Sequence, residues 1–480
     1  MDTKKLRQKI LDLAIHGKLV PQDPNDEPAS VLLERIKAEK ERLIKEGKIK
    51  RTKKSAKSSD TPHYENVPFE VPEGWVWVTL GSISNYGTSI NVQVEDIDCN
   101  EWVLELEDIE KDTAKVIQYI NKKERNINGI RHKFQKGDIL YSKLRTYLNK
   151  VLVASNNGFC TTEIMPFGTY GILSNEYICH VLRSNYFLDY TLQCGYGVKM
   201  PRLSTNDACK GMIPLPPLAE QQRIVDEINH WFALIDMIEQ NKSDLQAAIK
   251  QTRSKILDLA IHGKLVPQDP NDEPAAELLK RINPKAETTC DNGHYPQLPV
   301  GWSCTTIKDV CENINGLWKG KKEPLVKVGV IRNANFTKDF KLDFSNIECI
   351  DVEQRVFSQR HLLNGDLIVE KSGGSDKNPV GRAVLYEGTN GVFSYSNFTM
   401  VLRIIHREVI LSKFLYYYIL ANYQAGVMNS MQTQTTGLHN LILDKYLTMP
   451  LYLPPRQEQE RIINKIEILF SKLDTIMESL

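Results

Sequence analysis

Apolar residues recur at alternating spacings of four and three through the middle of the chain. The positions that follow this pattern are Ile224, Ile228, Trp231, Ile235, Ile238, Leu245, Ile249, Ile256 and Leu259. A repeat of 3.5 residues is typical of a coiled-coil seam, although Lys242 and Thr252 interrupt it. The pattern predicts one helix from Pro217 to His262, about 70 Å long at 1.5 Å per residue. A helix buried in a globular core is the alternative, and the length and the charged flanks favour the coiled coil.

Two further stretches carry the same helical spacing, one at each end of the chain. The seam positions are Leu6, Ile10 and Leu13 near the start, and Ile462, Ile466, Leu469, Leu473 and Ile476 near the end. Residues 454–480 align with 216–242 at an offset of 238, and the first helix aligns with the later part of the central one at an offset of 246. Laid end to end, the two terminal helices rebuild the central helix. This relation predicts a circularly permuted tandem repeat.

Such a repeat predicts two long antiparallel helices related by a pseudo-two-fold axis. The two ends of the chain are then expected to lie close together. Ile224 is expected to pack near Leu13, and Leu259 is expected to pack near Ile462.

One segment of the repeat is identical letter for letter. Residues 9–29 reappear as residues 255–275, and in each copy a glycine and then a proline-rich turn end the helix. A charged helix is predicted after each turn, from Ala29 to about Lys48 in the first copy and over 276–281 in the second. The first copy alone continues into a basic run, which we interpret as a solvated tether, with a phosphate or partner contact as the alternative.

Between the helices, the pattern changes to short β-like segments separated by Gly and Asn. Two such regions each open with Pro-x-Gly-Trp, at 72–75 and 299–302, and each contains a strand introduced by Gly-Asp, at 137–138 and 365–366. The loops after these strands differ in sequence. The predicted fold is α+β, with two β-rich heads separated by the antiparallel helices. The predicted boundaries are a helical region 1–48, a basic linker 49–67, a first head 68–215, a central helical region 216–283, a second head 284–453 and a C-terminal helix 454–480.

Composition and charge limit the classes of function. The 480 residues suit two or three domains. Lys and Arg total 61 against 60 Asp and Glu, so a nucleic-acid surface is expected only as a local patch. The nine cysteines form no Cys-x-x-Cys pair, which favours reduced thiols in a cytoplasm. No apolar run approaches the roughly 18 residues of a membrane span, and the start of the sequence has no signal segment.

The sequence contains no catalytic motif, so we expect neither catalytic nor metal-binding residues. Residues 316–322 have the wrong spacing for a phosphate-binding Gly-x-x-x-x-Gly-Lys-Ser/Thr loop. The Asp366, Glu370 and Lys371 set lacks the Glu-x-Lys ending of a metal-dependent nuclease. His16 and His262 each precede a glycine at a predicted helix end, where an imidazole caps carbonyl groups and favours the helix dipole.

In this arrangement the chain resembles the specificity subunit HsdS of Type I restriction-modification systems. The resemblance is carried by Ile-Leu-Asp-Leu-Ala-Ile-His-Gly-Lys-Leu-Val-Pro-Gln-Asp at 10–23 and 256–269, by Pro-Pro-Leu-Ala-Glu-Gln-Gln-Arg-Ile-Val at 216–225 with its C-terminal counterpart, and by the two Pro-x-Gly-Trp entries. These blocks extend over essentially the whole chain. The departures are the short second charged helix, the two seam interruptions and the Arg-Gln-Glu-Gln-Glu sequence of the C-terminal block.

The resemblance implies that each head is a target recognition domain for one half of a bipartite DNA sequence. It implies that the coiled coil sets the spacer length and docks two adenine-N6 methyltransferase subunits, HsdM, which carry S-adenosylmethionine. It also implies restriction subunits, HsdR, that use ATP and Mg for translocation and cleavage, while this chain itself binds no cofactor.

Candidate DNA contacts lie in the loops after the Gly-Asp strands and in the loops before the Pro-Pro helices. Arginine and glutamine read base edges, whereas lysine mostly binds phosphate, so Arg145 and Arg382 are the predicted specificity residues. The complete set is Ser142, Lys143, Arg145, Tyr147, Lys150, Lys199 and Arg202 in the first head, and Lys371, Ser372, Lys377, Arg382, Gln434 and Asn440 in the second.

Three hypotheses for the function remain. The favoured one is a non-catalytic reader whose two different heads reach successive grooves about 34 Å apart and read an asymmetric DNA site. The second is a self-contained enzyme, which would turn over nucleic acid without partners. The third is a coiled-coil scaffold with protein-binding heads, which specific duplex binding in excess competitor DNA would exclude.

Overall fold

The chain divides into two compact units, Met1–Asn241 and Lys242–Leu480, and the division falls inside the helix Leu218–Ile261. The computed structural model describes residues 2–47, 67–197, 200–282, 298–320, 322–375, 378–435 and 437–480. The predicted basic linker at 49–67 lies outside these ranges, apart from its last residue. The long central helix, predicted over 217–262, is confirmed to within one residue at each end.

The first unit begins with two helices, continues through small sheets and ends in the long helix. In chain order it contains α1 (Thr3–Ile15), α2 (Ala29–Lys45), β1 (Val76–Thr79), α3 (Leu80–Ile83), β2 (Ile90–Gln93), β3 (Val103–Leu104), β4 (Ile130–Phe134), β5 (Ile139–Ser142), β6 (Val151–Val153), β7 (Gly158–Thr161), β8 (Ile164–Phe167), α4 (Asn175–Arg183), α5 (Asn185–Cys194), α6 (Thr205–Lys210), β9 (Met212–Leu215) and α7 (Leu218–Ile261). β1 pairs antiparallel with β9, and the other sheets have the orders β2-β4-β7-β3 and β6-β5-β8.

The second unit has the same plan with more strands. After the later part of α7 it contains α8 (Ala275–Ile282), β10 (Ser303–Thr306), α9 (Ile307–Val310), β11 (Cys311–Asn315), β12 (Leu325–Ile331), β13 (Glu348–Glu353), α10 (Gln354–Arg360), β14 (Leu367–Glu370), β15 (Ser372–Gly374), β16 (Ala383–Leu385), β17 (Phe393–Tyr395), β18 (Thr399–Ile404), α11 (Ser412–Gln424), β19 (Gln432–Thr435), β20 (Leu438–Leu441), α12 (Leu443–Leu447), β21 (Pro450–Leu453) and α13 (Arg456–Ser479). Its sheets have the orders β10-β21, β11-β18-β14-β16, β13-β12-β17 and β15-β20-β19.

The strand after each Gly-Asp pair is the centre of its head. All four residues of β5 and of β14 are buried. Because successive side chains of a strand point to opposite faces, Ile139 and Tyr141 join one hydrophobic cluster while Leu140 joins another. β14 repeats this arrangement in the second head. Each strand is therefore held on both faces, which fixes the position of the loop that follows it.

The predicted antiparallel helix contacts occur within each unit. Arg7 Nη2 donates to Asp236 Oδ1 at 2.5 Å, and Arg223 Nη2 donates to Asp26 Oδ2 at 2.6 Å. Arg7 precedes Asp26 in the chain, whereas Asp236, the partner of Arg7, follows Arg223, the partner of Asp26. The N-terminal segment therefore runs antiparallel to the start of α7. The second unit repeats both ion pairs, between Arg253 and Asp474 and between Arg461 and Asp272.

The hydrophobic side of these helices differs from the predicted continuous seam. Ile10, Ile224, Ile228 and Ile235 are buried in the first unit, as are Ile249, Ile256, Ile462 and Ile466 in the second, while Leu6, Leu469 and Leu473 pack at the edges of the cores. Leu13 and Leu259 are only half-buried, whereas Leu11, Ala14, Ile15, Leu257, Ala260 and Ile261, which are outside the predicted seam, are fully buried. The helix ends face a head as well as a helix, so their apolar face is wider than a coiled-coil stripe.

Four predicted seam residues are exposed, three in the middle part of α7 and one near the end of α13. Trp231, Ile238, Leu245 and Ile476 are 40–44% exposed. A straight helix drifts about 20° per heptad from a 3.5-residue repeat, so a stripe buried beside the head turns outward farther along.

Some helices and one cysteine depart from the sequence prediction. α4 and α5 lie inside a head predicted from short β segments, and their N-caps explain them: Ser174 Oγ accepts from Tyr177 N at 3.2 Å, and Ser184 Oγ accepts from Phe187 N at 3.4 Å. Cys304 is disulfide-bonded, whereas the other described cysteines are free thiols, as the sequence predicted: Cys99, Cys160, Cys179, Cys194, Cys209, Cys311 and Cys349. None of the described helices is both long and apolar enough to cross a membrane.

Candidate nucleic-acid interface

The same buried contacts connect head and helix in each unit. In the first unit, Glu220 accepts hydrogen bonds from Trp75 Nε1 at 2.9 Å and from Gln22 Nε2 at 3.0 Å. In the second, Glu458 accepts from Gln268 Nε2 at 3.1 Å, and burial raises the pKa of this carboxyl. These residues come from the repeated blocks, which explains why the two heads are held in the same way.

The repeated histidines take part in this framework as predicted. His16 Nδ1 lies 2.7 Å from the Asp12 carbonyl oxygen, and His262 Nδ1 lies 2.8 Å from that of Asp258. His16 also stacks on Phe69, with ring centroids 3.9 Å apart. Both imidazoles therefore satisfy carbonyl groups at the end of a helix.

Two loops predicted to contact DNA lie side by side in the first head. The first Gly-Asp loop, residues 143–150, joins β5 to β6, and a bridge between Leu144 and Arg202 ties it to the loop before α6. Arg145 N donates to Pro201 O at 2.7 Å and has a φ of 52°, in the left-handed region. The adjacent loop before α6 holds this unusual backbone in place, so the first Gly-Asp loop has a defined shape.

The charged candidates of the first head are partly engaged within the head. Lys150 Nζ donates to Leu106 O at 2.7 Å, and burial lowers the pKa of both Lys143 and Lys150. Arg202 donates to Glu163, and this hydrogen bond raises the pKa of Arg202. Arg145 Nε is buried without a hydrogen bond to any described residue.

Among the other first-head candidates, exposure varies. Tyr147 is exposed, whereas Ser142 is buried and its Oγ donates to Leu144 O at 2.9 Å. Ser142 thus shapes the loop rather than presenting its hydroxyl. Lys199 lies outside the described residues.

The corresponding loops also meet in the second head. The second Gly-Asp loop, residues 371–382, contains β15, which pairs with β20 at Ser372 and Asn440. Leu441 N donates to Lys371 O at 2.9 Å. Gln434 is exposed on the neighbouring strand β19. Lys377 lies outside the described residues.

Two basic candidates of the second head point towards partners in the protein. Lys371 Nζ donates to Asn315 Oδ1 at 2.9 Å, and burial, with a smaller contribution from Arg360, lowers the pKa of this lysine. Arg382 Nε donates to Glu370 Oε2 at 3.2 Å, and its guanidinium lies 5.1 Å from the Phe336 ring centroid.

Arg382, one of the two predicted specificity residues, therefore makes its contacts within the head, and its role in reading DNA stays a prediction. Glu370 is buried, and a buried carboxylate that loses its cationic partner costs considerable stability. The cost of leaving Glu370 without a cation therefore keeps the Arg382 guanidinium beside it.

We predict that Arg382→Ala destabilises the second unit by about 2 kcal/mol at pH 7, because Glu370 is left buried without its cation. The double variant Glu370→Gln with Arg382→Ala should recover most of this loss. Urea unfolding followed in the second unit measures both changes. Arg355→Ala, which removes an exposed arginine of α10, is the control, and full stability of the Arg382→Ala protein would contradict the prediction.

The structure adds exposed aromatic residues and one exposed methionine that the sequence search for charged loops overlooked. Tyr196 and Met200 are exposed beside the first Gly-Asp loop, and Trp318 and Phe398 are exposed near the second. Trp318 lies within the 316–322 segment, which sequence analysis considered only as a phosphate loop. Exposed aromatic rings on a stretch rich in Gly and Lys are the signal that could have identified it. Within the described residues, no group of three His, Cys, Asp or Glu could hold a metal ion.

Comparison with known families gives a match in the second half of the chain. The family described as the Type I restriction modification DNA specificity domain matches residues 299–480. The chain therefore carries such a domain, and the resemblance inferred from the sequence is confirmed.

Similarity to individual relatives extends over nearly the whole chain. The EcoAI specificity subunit of the Type I restriction enzyme from Escherichia coli is 29% identical over 97% of this chain and 88% of its own length. The EcoEI specificity subunit, also from E. coli, is 28% identical over 99% of this chain and 90% of its own length. Along its length, then, this chain is similar to Type I specificity subunits.

One solved structure supports the fold, and a second alignment is weaker. One structure comes from work on complex assembly and conformational transition of the type I R-M system. A chain of that structure aligns with a TM-score of 0.57 at 18% identity, and the alignment covers 86% of this chain and 94% of that chain. The HsdS subunit from Thermoanaerobacter tengcongensis aligns with a TM-score of 0.49 at 17% identity, covering 86% of this chain and 93% of that one.

Proposed function

We propose that this chain is the non-catalytic specificity subunit of a Type I restriction-modification complex and that each head reads one half of an asymmetric, two-part DNA site. The observation that carries the proposal is the contrast between framework and loops. The contacts around Glu220 recur around Glu458, whereas Ser142 at the end of β5 is replaced by Glu370 at the end of β14. Two heads that are held by the same framework contacts but carry different loops are suited to binding two different half-sites.

The two heads present different chemistry to DNA. In the first, Tyr147 and Arg202 are accessible, and Lys143 and Lys150 supply positive charge beside them. In the second, Gln434 is exposed on a hairpin that pairs with the Gly-Asp loop. Because an amide side chain pairs in a bidentate way with adenine, and arginine pairs with guanine, the two halves of the site are expected to differ in base composition.

The long helix supports the further roles of spacing and docking. Trp231 and Met237 are exposed on the first unit's part of α7, and Ile468 and Ile476 are exposed on α13. Exposed apolar side chains on a charged helix favour contact with a protein partner. We assign this partner role to two methyltransferase subunits carrying S-adenosylmethionine for adenine-N6 methylation, while restriction subunits supply ATP- and Mg-dependent cleavage.

Head exchange tests the proposal. Replacing residues 68–215 with the corresponding head of a related subunit should change one half of the methylated sequence and leave the other half and the spacer unchanged. Replacing 284–453 is the matched control and should change only the other half. Methylated adenines are mapped across the genome of cells that express each chimera with its partner subunits. An unchanged recognition sequence in both chimeras would exclude the proposal.

A further inference from the structure

A cavity of about 290 Å³ opens beside the second Gly-Asp loop. Its apolar wall contains Leu317, Val330 and Ile350, and two exposed aromatic residues, Trp318 and Phe398, also line it. Ligand sites are usually concave, mostly apolar and supplied with a few polar groups. The shape and lining of this cavity fit that description.

Two lining residues, Asn333 and Ser396, each carry a buried polar atom without a partner. Ser396 Oγ and Asn333 Oδ1 make no hydrogen bond to any described residue, and Ser396 is only 8% exposed. Buried polar groups in proteins are nearly always hydrogen-bonded, so each exception needs a reason. A small shift of the side chains that cover these atoms would let the polar edge of a bound ligand supply the missing partners.

The charges around the cavity favour an anionic ligand. Lys319 and Arg332 line it, and Glu348, which is paired with Arg332, is the only carboxylate among the described lining residues. Arg360 Nη1 donates to Gly316 O at 3.1 Å, and Lys371 binds Asn315, so two further cations flank the segment that leads to Trp318. A nucleic-acid backbone is therefore attracted to the entrance.

Hydrogen bonds link the cavity directly to the Gly-Asp loop. The backbone N–H groups of Lys371 and Ser372 donate to Phe398 O at 2.8 and 3.1 Å, and Asn333 Nδ2 donates to Ser372 O at 2.7 Å. DNA that contacts this loop would lie within reach of the cavity mouth.

We propose that this cavity receives one DNA base unstacked from the half-site read by the second head. The inference rests on the proposed function. A planar base stacks on Trp318 or Phe398, its polar edge meets Ser396 and Asn333, and the cations at the rim hold the adjoining phosphates. Enzymes that handle an extruded base use this combination of aromatic stacking and edge hydrogen bonds.

Mismatch scanning tests the proposal on the full chain assembled with its partner subunits. A mismatch weakens pairing and makes a base easier to extrude, so at one position of the second half-site it should tighten binding by about tenfold. Ala334→Trp closes the cavity from its exposed rim and should abolish this gain. Val300→Trp adds an indole at a residue that is 84% exposed, away from the cavity lining, and should preserve the gain.

The outcomes separate this inference from the proposed function. If the wild-type protein binds its intact site specifically but shows no gain that Ala334→Trp removes, only the base-extrusion proposal fails. If it does not prefer its intact site over competitor DNA, the proposed function fails as well. A second experiment is calorimetric titration of the protein with the four nucleoside monophosphates. Tight binding that Ala334→Trp abolishes would mean that the cavity is a site for free nucleotides, and this result would overturn the proposal. Equal unfolding midpoints for the two tryptophan variants establish that both remain folded.

Discussion

Gly17→Ala is expected to destabilise the first unit by about 3 kcal/mol, whereas Gly47→Ala should cost about 1 kcal/mol. The two glycines have nearly the same backbone, with φ values of 65° and 70°, so the strain of a left-handed alanine is common to both. Their surroundings differ. A Cβ on Gly17 would lie 2.3 Å from Pro72 Cγ and 3.3 Å from Trp75, whereas no described atom lies within 4 Å of a Cβ on Gly47.

The additional cost at Gly17 comes from atoms that cannot easily move. Pro72 has a rigid ring, and Trp75 is held by its hydrogen bond to Glu220. Gly263 faces Pro299 and Trp302 with the same spacing, so Gly263→Ala should destabilise the second unit to a similar degree. Urea unfolding monitored by hydrogen exchange in each unit separates these effects. Equal losses for Gly17→Ala and Gly47→Ala would show that backbone strain alone determines the cost.

The helical framework could be predicted from the sequence because it depends on local and repeated signals. The 3.5-residue spacing located α7, and the identical blocks brought Gln22 and Gln268 to equivalent carboxylates. An identical sequence packed beside an equivalent carboxylate makes the same contact, although the adjoining heads differ. The interruption of the buried stripe at Trp231 was not predictable, because spacing along one helix does not tell where the stripe turns away from the head.

The candidate interface was predicted only in part. The sequence identified the loops after the Gly-Asp strands, and the structure places the second candidate loop of each head beside the first. It could not show that Arg382 turns inward, since Glu370 reaches it through the backbone pairing of Glu370 with Gly381 and Arg382. Nor could it show the cavity beside Trp318, whose wall combines segments from about 317 to 398. Side-chain direction and non-local walls depend on strand pairing, which residue spacing leaves open.

The two Gly-Asp turns have the same backbone but different charge partners. Asp138 Oδ2 accepts from Gln135 N at 2.8 Å, and Asp366 Oδ2 accepts from Leu363 N at 2.8 Å. Asp366 also receives hydrogen bonds from Arg403, from Nε at 2.9 Å and from Nη2 at 2.7 Å. No described cation forms an ion pair with Asp138, and burial raises the pKa of its carboxyl.

We therefore expect opposite results when each aspartate is changed to asparagine. Asp366→Asn should destabilise the second unit by about 3 kcal/mol at pH 7, because the amide keeps the turn but leaves Arg403 without its anion. Asp138→Asn should be neutral or stabilising at pH 7, because it removes a carboxylate whose ionisation opposes folding. Urea unfolding of both variants across the pH range measures these effects.

The raised pKa of Asp138 determines how the stability change caused by Asp138→Asn depends on pH. A carboxyl whose pKa is raised in the folded state binds its proton more readily there than in the unfolded chain, so its penalty is present at neutral pH and disappears as the pH falls towards the ordinary value of 3.8. Any advantage of Asp138→Asn should disappear over the same range. Since the Asp366 turn introduces β14 and the second Gly-Asp loop, Asp366→Asn should also weaken discrimination in one half-site only. Equal destabilisation by the two variants would mean that the turn, and not the ion pair with Arg403, accounts for the effect.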